Sequence, residues 1–166
     1  MSHCSTTFFK ALTAFTALVL LAGCSSLSPY STLTKVNLKL TASDHLNPDI
    51  NGRASPIVVS LFELKHPVAF ESSDFFSLYE RAKESLAPDM VATEELELRP
   101  GETVELNLTV KKGSHYVGIL AAYRDLSDTK WRYTINVTPE AVTNVDLTLD
   151  QTGIRHTQNM LVKADD

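Results

Sequence analysis

The sequence predicts an all-β chain folded as an antiparallel β-sandwich with one short helical insertion. Two observations carry this. Between Val36 and Leu149, apolar and polar residues alternate with period two over several short stretches, each closed by a Gly-, Pro- or Asp/Ser-rich turn signal. A single segment breaks that rhythm: Phe75, Leu78, Tyr79 and Ala82 repeat at i, i+3, i+4 and i+7, the stripe of a helix that buries one face.

The first strand alternates Val36, Leu38, Leu40 and Ala42 with Asn37, Lys39 and Thr41. Ile57 to Leu64 is apolar at nearly every position, as a strand covered on both faces would be. The helix follows, with Ser72 or Ser73 as the expected N-cap, Asp74 near its positive end and Pro88 stopping it. Leu96 and Leu98 lead into Arg99-Pro100-Gly101-Glu102, whose Pro-Gly pair suits a type II turn. Val104, Leu106, Leu108 and Val110 alternate directly after it, so 94–110 reads as a hairpin. Tyr116 to Arg124 forms the next strand, with Gly118 marking a bulge or a close approach of another group. Trp131, Tyr133, Ile135 and Val137 precede the breaker Pro139, and Val145, Leu147 and Leu149 form the last clear strand.

The amino terminus is an export signal. Lys10 precedes a 12-residue apolar run, Ala11 to Ala22, which is too short to span a bilayer and ends in Leu21-Ala22-Gly23-Cys24. Those four residues resemble the lipobox of bacterial lipoproteins. The resemblance implies cleavage before Cys24 and acylation of that cysteine. The chain then divides into a signal peptide over 1–23, a lipidated Ser/Thr/Pro-rich tether over 24–34, a sandwich domain over 35–158 and a flexible tail over 159–166.

Removing 23 of 166 residues leaves 143, a length that fits one domain. Of the two cysteines, Cys4 leaves with the signal and Cys24 is the lipidation site, so the domain holds no disulfide and rests on its core. Loss of Lys10 takes the net charge from −5 to −6. This acidic balance argues against nucleic acid as a partner, and no run of basic residues marks a polybasic membrane patch.

Catalytic and metal motifs are missing. Asn47, Asp49, Asn51 and Gly52 imitate the start of a calcium loop, but the twelfth position, where a bidentate Glu is needed, is Val58. His45, His66, His115 and His156 stand far apart with no Cys neighbour or i, i+4 His partner. No nucleophile elbow, phosphate loop or dinucleotide fingerprint occurs. No enzyme, cofactor or metal is expected. Glu94, Glu95 and Glu97 read as a solvated strand face. The Phe75-Phe76-Leu78-Tyr79 group reads as helix-to-sheet packing, with whichever of Phe75 and Phe76 faces outward open to a partner.

The connection between the first two strands, Ser43 to Ser55, is the best functional candidate. Its 13 residues are many for a sandwich loop, and long ordered loops tend to carry function. Here a family likeness emerges. Asn47-Pro48-Asp49, Gly52-Arg53 and Ser55-Pro56-Ile57-Val58-Val59 are followed in order by Phe62-Glu63-Leu64, Phe70, Ser73-Asp74-Phe75 with Leu78, Arg99-Pro100-Gly101, Val117-Gly118-Ile119, Ala122-Tyr123-Arg124 and Trp131-Arg132. This ordered set resembles the TssJ (SciN/VasD) lipoproteins of the type VI secretion system over about residues 35–150.

The resemblance implies a transthyretin-like sandwich anchored by lipid in the outer membrane and facing the periplasm. It implies binding to the periplasmic C-terminal region of TssM, an inner-membrane protein, within a complex that also holds TssL. It places Asn47, Pro48, Asp49, Asn51 and Arg53, by position, in the partner-binding loop. Ser25, where a retention signal would need Asp, agrees with sorting to the outer membrane. Two rivals stand beside this reading. A ligand- or peptide-binding lipoprotein would show an apolar pocket between its sheets. A periplasmic hydrolase would gather carboxylates or histidines in one cleft.

Overall fold

A computed structural model of the chain describes residues 33–157. The signal peptide, the lipidation site Cys24 and the tail 159–166 lie outside the described residues. Among the described residues, eight strands form two four-stranded sheets: β1 (Thr34–Ala42), β2 (Ile57–Leu64), β3 (Met90–Leu98), β4 (Thr103–Val110), β5 (Tyr116–Ala121), β6 (Arg132–Asn136), β7 (Val142–Asp150) and β8 (Gly153–His156). Between β2 and β3 come two helices, α1 (Val68–Ser72) and α2 (Phe75–Ser85).

One sheet has the order β4-β1-β7-β8, the other β3-β2-β5-β6. The chain is the expected β-sandwich, with one pairing that alternation could not foretell: β1 runs parallel to β7, with Lys35 opposite Val142 and Ala42 opposite Leu149. Every other pairing between named strands is antiparallel.

The hairpin expected over 94–110 does not form. The turn itself is as read: Gly101 has φ 75° and the Glu102 N–H donates to the Arg99 carbonyl at 3.0 Å. But β3 pairs with β2 and β4 with β1, so the turn carries the chain from one sheet to the other. Alternation tells which face of a strand is buried and not which strand it meets.

The core lies between the sheets. Val36, Leu38, Leu40 and Ala42 from β1 meet Ile57, Val59 and Leu61 from β2, Val117 and Ile119 from β5, and Leu147 and Leu149 from β7. Each fully buried aliphatic side chain stabilises the fold by about 1.5–3 kcal/mol. β2 is covered on both faces, as its sequence suggests. Its other face sends Phe62 and Leu64 into a second cluster with Phe70, Phe75, Leu78 and Leu86 from the helical insertion.

Gly118 on β5 marks a close approach. A Cβ there would sit 3.0 Å from the Phe70 ring, so its absence lets α1 lie on the sheet. Arg132 on β6 donates to the Phe70 and Ser73 carbonyls at 3.1 and 2.7 Å, closing the end of α1. The N-cap of α2 is Asp74 rather than Ser72 or Ser73. Its carboxylate accepts from the Ser77 N–H at 3.0 Å, while both serine hydroxyls turn back to carbonyls in α1.

Candidate docking loop

The 43–55 loop leaves β1 at one end of the sandwich and is anchored before it projects. Leu46 is fully buried in the core, its N–H donating to Ser43 and its carbonyl accepting from Ser55. Asn47 comes next, 4 % exposed and in the left-handed region with φ 43°, which Asn tolerates better than most residues. Its Nδ2 donates to the Pro56 carbonyl at 3.0 Å, and its Oδ1 accepts from the Arg124 N–H at 2.9 Å. One side chain thus ties the start of the loop to its end and to the β5–β6 connection.

Beyond Asn47 the tip is organised by one carboxylate. Asp49 Oδ1 accepts from the N–H groups of Asn51 and Arg53 at 2.8 and 2.9 Å, and Oδ2 accepts from Arg53 Nε at 2.8 Å. Arg53 Nη2 lies 2.7 Å from the same oxygen. Two backbone bonds, Asp49 N–H to Arg53 and Gly52 N–H to Asp49, close the turn, with Gly52 at φ 76°. The hydrogen bonds from Arg53, first its backbone N–H and then its guanidinium, hold the Asp49 carboxyl below its usual range. The consequence is that Ile50, between the bonded residues, is 101 % exposed.

This tip, with Arg124, Asp125 and Gln151 from neighbouring connections, surrounds an open concavity of about 700 Å³. Beneath it Tyr123 is buried, and its hydroxyl has no hydrogen-bond partner among the described residues. Burial, and then the nearby Asp150 charge, raises its pKa, so the phenol stays neutral. Asp150 in turn accepts from Thr152 and pairs with Arg155, which steadies the β7–β8 turn at the rim.

All five residues picked from the sequence line this concavity. They divide by role. Asn47 has its amide committed on both sides and shapes the loop. Asp49 organises the tip. Pro48, Asn51 and the outer part of Arg53 present surface. Sequence reasoning missed Ile50, although a lone Ile between Asp and Asn belongs to no core periodicity and therefore has nothing to bury against.

Between the sheets there is little room for a ligand. The space lined by Leu61, Leu108 and Val117 between the sheets amounts to about 10 Å³, at most one water. Among the described residues, no group of three His, Cys, Asp or Glu is placed to hold a metal ion. No helix among them is long and apolar enough to cross a membrane. Phe76 is the outward member of its pair, 58 % exposed, while Phe75 packs edge-on to Trp131 at 5.3 Å.

Comparison with known proteins gives a consistent picture. A family model described as "Type VI secretion lipoprotein, VasD, EvfM, TssJ, VC_A0113" matches residues 34–152. The chain is similar to the T6SS lipoprotein TssJ1 from Pseudomonas aeruginosa, at 36 % identity and TM-score 0.72, covering 74 % of this chain and 94 % of that one. It shares the fold of Serratia marcescens Lip, described as a membrane bound component of the Type VI Secretion System, at 22 % identity and TM-score 0.69, over 75 % and 97 % of the two chains. It also shares the fold of a structure described as the T6SS protein TssM C-terminal domain (869-1107) from EAEC, at 20 % identity and TM-score 0.63, over 74 % and 97 %. No curated protein matches the chain.

Proposed function

The chain belongs to the family of type VI secretion lipoproteins that includes TssJ, and from that premise we propose that it is a non-enzymatic anchor. In this reading Cys24 carries the lipid and holds the chain in the outer membrane, facing the periplasm. The 43–55 loop then docks on the periplasmic C-terminal region of TssM, within a complex that also contains TssL. Lipid supplies attachment and the loop supplies recognition.

The observation that carries the docking role is Ile50. A fully exposed aliphatic side chain, held out by a turn with six internal polar contacts, is a pre-organised anchor for a partner pocket. Little loop entropy is left to lose on binding. Arg53, 77 % exposed along its side chain, and Asn51 flank it as polar rim.

The test is calorimetric titration of the soluble chain against the periplasmic region of its TssM. Ile50→Asp removes the apolar contact and buries a charge, and should weaken binding by about 10- to 100-fold, or about 1.4–3 kcal/mol. Its melting temperature should not change, because Ile50 touches no core. Unaltered affinity would sink the docking role of the tip.

A further inference from the structure

We propose that the opposite end of the sandwich, where the tether leaves, is an electrostatic contact for the anionic phospholipid surface that holds the anchor. This rests on the lipid anchoring proposed above and adds an orientation to it.

The two ends are well separated. β1 runs nine residues from Thr34 to Ala42. Its eight steps of about 3.3 Å place the docking loop roughly 26 Å from the tether exit. At the exit, Leu33, Lys111, Lys112 and His115 surround a concavity of about 560 Å³. His115 also lines an adjoining depression of about 320 Å³ with Lys65 and His66. The two sheets are joined here by Glu63, whose carboxylate accepts from the Lys111 N–H at 3.0 Å and the Ser114 hydroxyl at 3.3 Å.

Glu63 keeps its negative charge, directed at the 111–114 turn and not at a lysine ammonium. Asp89 is engaged by His66 at 2.8 Å. Among the described residues, Lys111 and Lys112 have no carboxylate partner, and Lys65 Nζ donates to the Pro88 carbonyl instead. Glu140 is the one exposed carboxylate on the rim. Three exposed lysines, against one exposed carboxylate, therefore stand at the end from which the chain runs to Cys24. They are scattered in sequence, which is why no basic run marks them.

The occupant follows from where the chain goes. Nine residue steps separate Cys24 from Leu33, a reach of at most about 30–32 Å. A lipid at Cys24 keeps this end, more than any other, within range of headgroups. Tethering raises the local concentration of the patch at the surface, so weak contacts count. Each lysine near an anionic surface contributes roughly five-fold in partition. The attraction acts only within about 8 Å at physiological salt, so it orients a tethered domain without recruiting a free one. With this end held to the membrane, the docking loop points away from it.

Residues 24–166, produced without the signal segment and so unlipidated, carry one thiol, Cys24, and can be coupled to maleimide-lipid in vesicles of phosphatidylcholine, with or without phosphatidylglycerol. The readout is the rate of amine acylation at each lysine, measured by mass spectrometry. Acylation of Lys65, Lys111 and Lys112 should slow several-fold on the anionic vesicles, while Lys39 and Lys130 stay unchanged. About 1 M salt, with a Debye length of about 3 Å, should abolish the difference. The double variant Lys111→Glu with Lys112→Glu should lose the protection at Lys65. Equal rates on both vesicle types overturn the proposal, and so does uniform slowing that includes Lys39 and Lys130. Because the vesicle anchor is chemical, failure of the lipid-anchoring reading shows separately, as membrane retention of Cys24→Ser in fractionated cells.

Discussion

Asn47 shows how one side chain can decide whether a loop is a surface or a tangle. Its amide meets two backbone groups 77 and 9 residues away, one on each neighbour of the loop. Truncation leaves the Arg124 N–H and the Pro56 carbonyl without their partner in a part-buried site and puts a methyl at φ 43°. Asn47→Ala should therefore cost about 1–3 kcal/mol in urea unfolding, and should weaken TssM binding through loop shape. Asn47→Asp keeps the acceptor for Arg124 but sets a carboxylate oxygen against the Pro56 carbonyl in a buried site, and should recover neither. Asp49 makes a separate prediction in pH. Its folded-state pKa lies below the ordinary 3.8, so its contribution is fully present above that value and is lost as pH falls through the lower one. The Asn51 and Arg53 amide resonances should titrate with a midpoint under 3.8, and a midpoint at or above it would show the tip is not held by this carboxylate.

At the scale of elements, the helical insertion is fixed by a few contacts that local sequence hints at but does not assemble. The helical stripe in α2 and the odd glycine in β5 are both legible. That Gly118 is bare because Phe70 lies on it is not, since 48 residues and two strands separate them. Likewise the turn at Pro100-Gly101 is legible from its chemistry, while its crossing between sheets depends on which strands β1 and β2 capture. The lysine-bearing end is the extreme case: Lys65 and Lys111 come to the same end only once both sheets have formed. Arg132 makes the testable link. It closes two carbonyls at the end of α1 and lies over the Trp131 ring, its guanidinium carbon 4.6 Å from the centroid. Arg132→Ala should destabilise by about 2 kcal/mol. Amide exchange should quicken over 68–85 and leave β1 and β7 protected. Arg132→Lys should not restore it, because one ammonium cannot reproduce the planar fork. Uniform exchange across the domain would place Arg132 in the global core instead.

At the scale of the molecule, the proposed arrangement makes the sandwich a spacer. The two proposed contacts lie at opposite ends of β1, joined by a core of close-packed Leu, Ile and Val. Sites this far apart, with no shared partner, should act additively. The double-lysine variant should therefore bind soluble TssM with the parent affinity, and Ile50→Asp should keep its lysine protection on anionic vesicles. Combining all three substitutions should reproduce both losses and no more, within about 0.5 kcal/mol on the binding side. A larger loss would mean that the ends communicate through the sheets, which the committed hydrogen bonds of Asn47 at one end and Glu63 at the other give no means to do. Additivity has a functional consequence on a membrane. Orientation by the lysines should raise the rate at which an anchored chain meets TssM without changing the dissociation of the complex formed. With lipid-coupled protein on anionic vesicles, the double-lysine variant should thus associate more slowly and dissociate at the parent rate, whereas Ile50→Asp should dissociate faster.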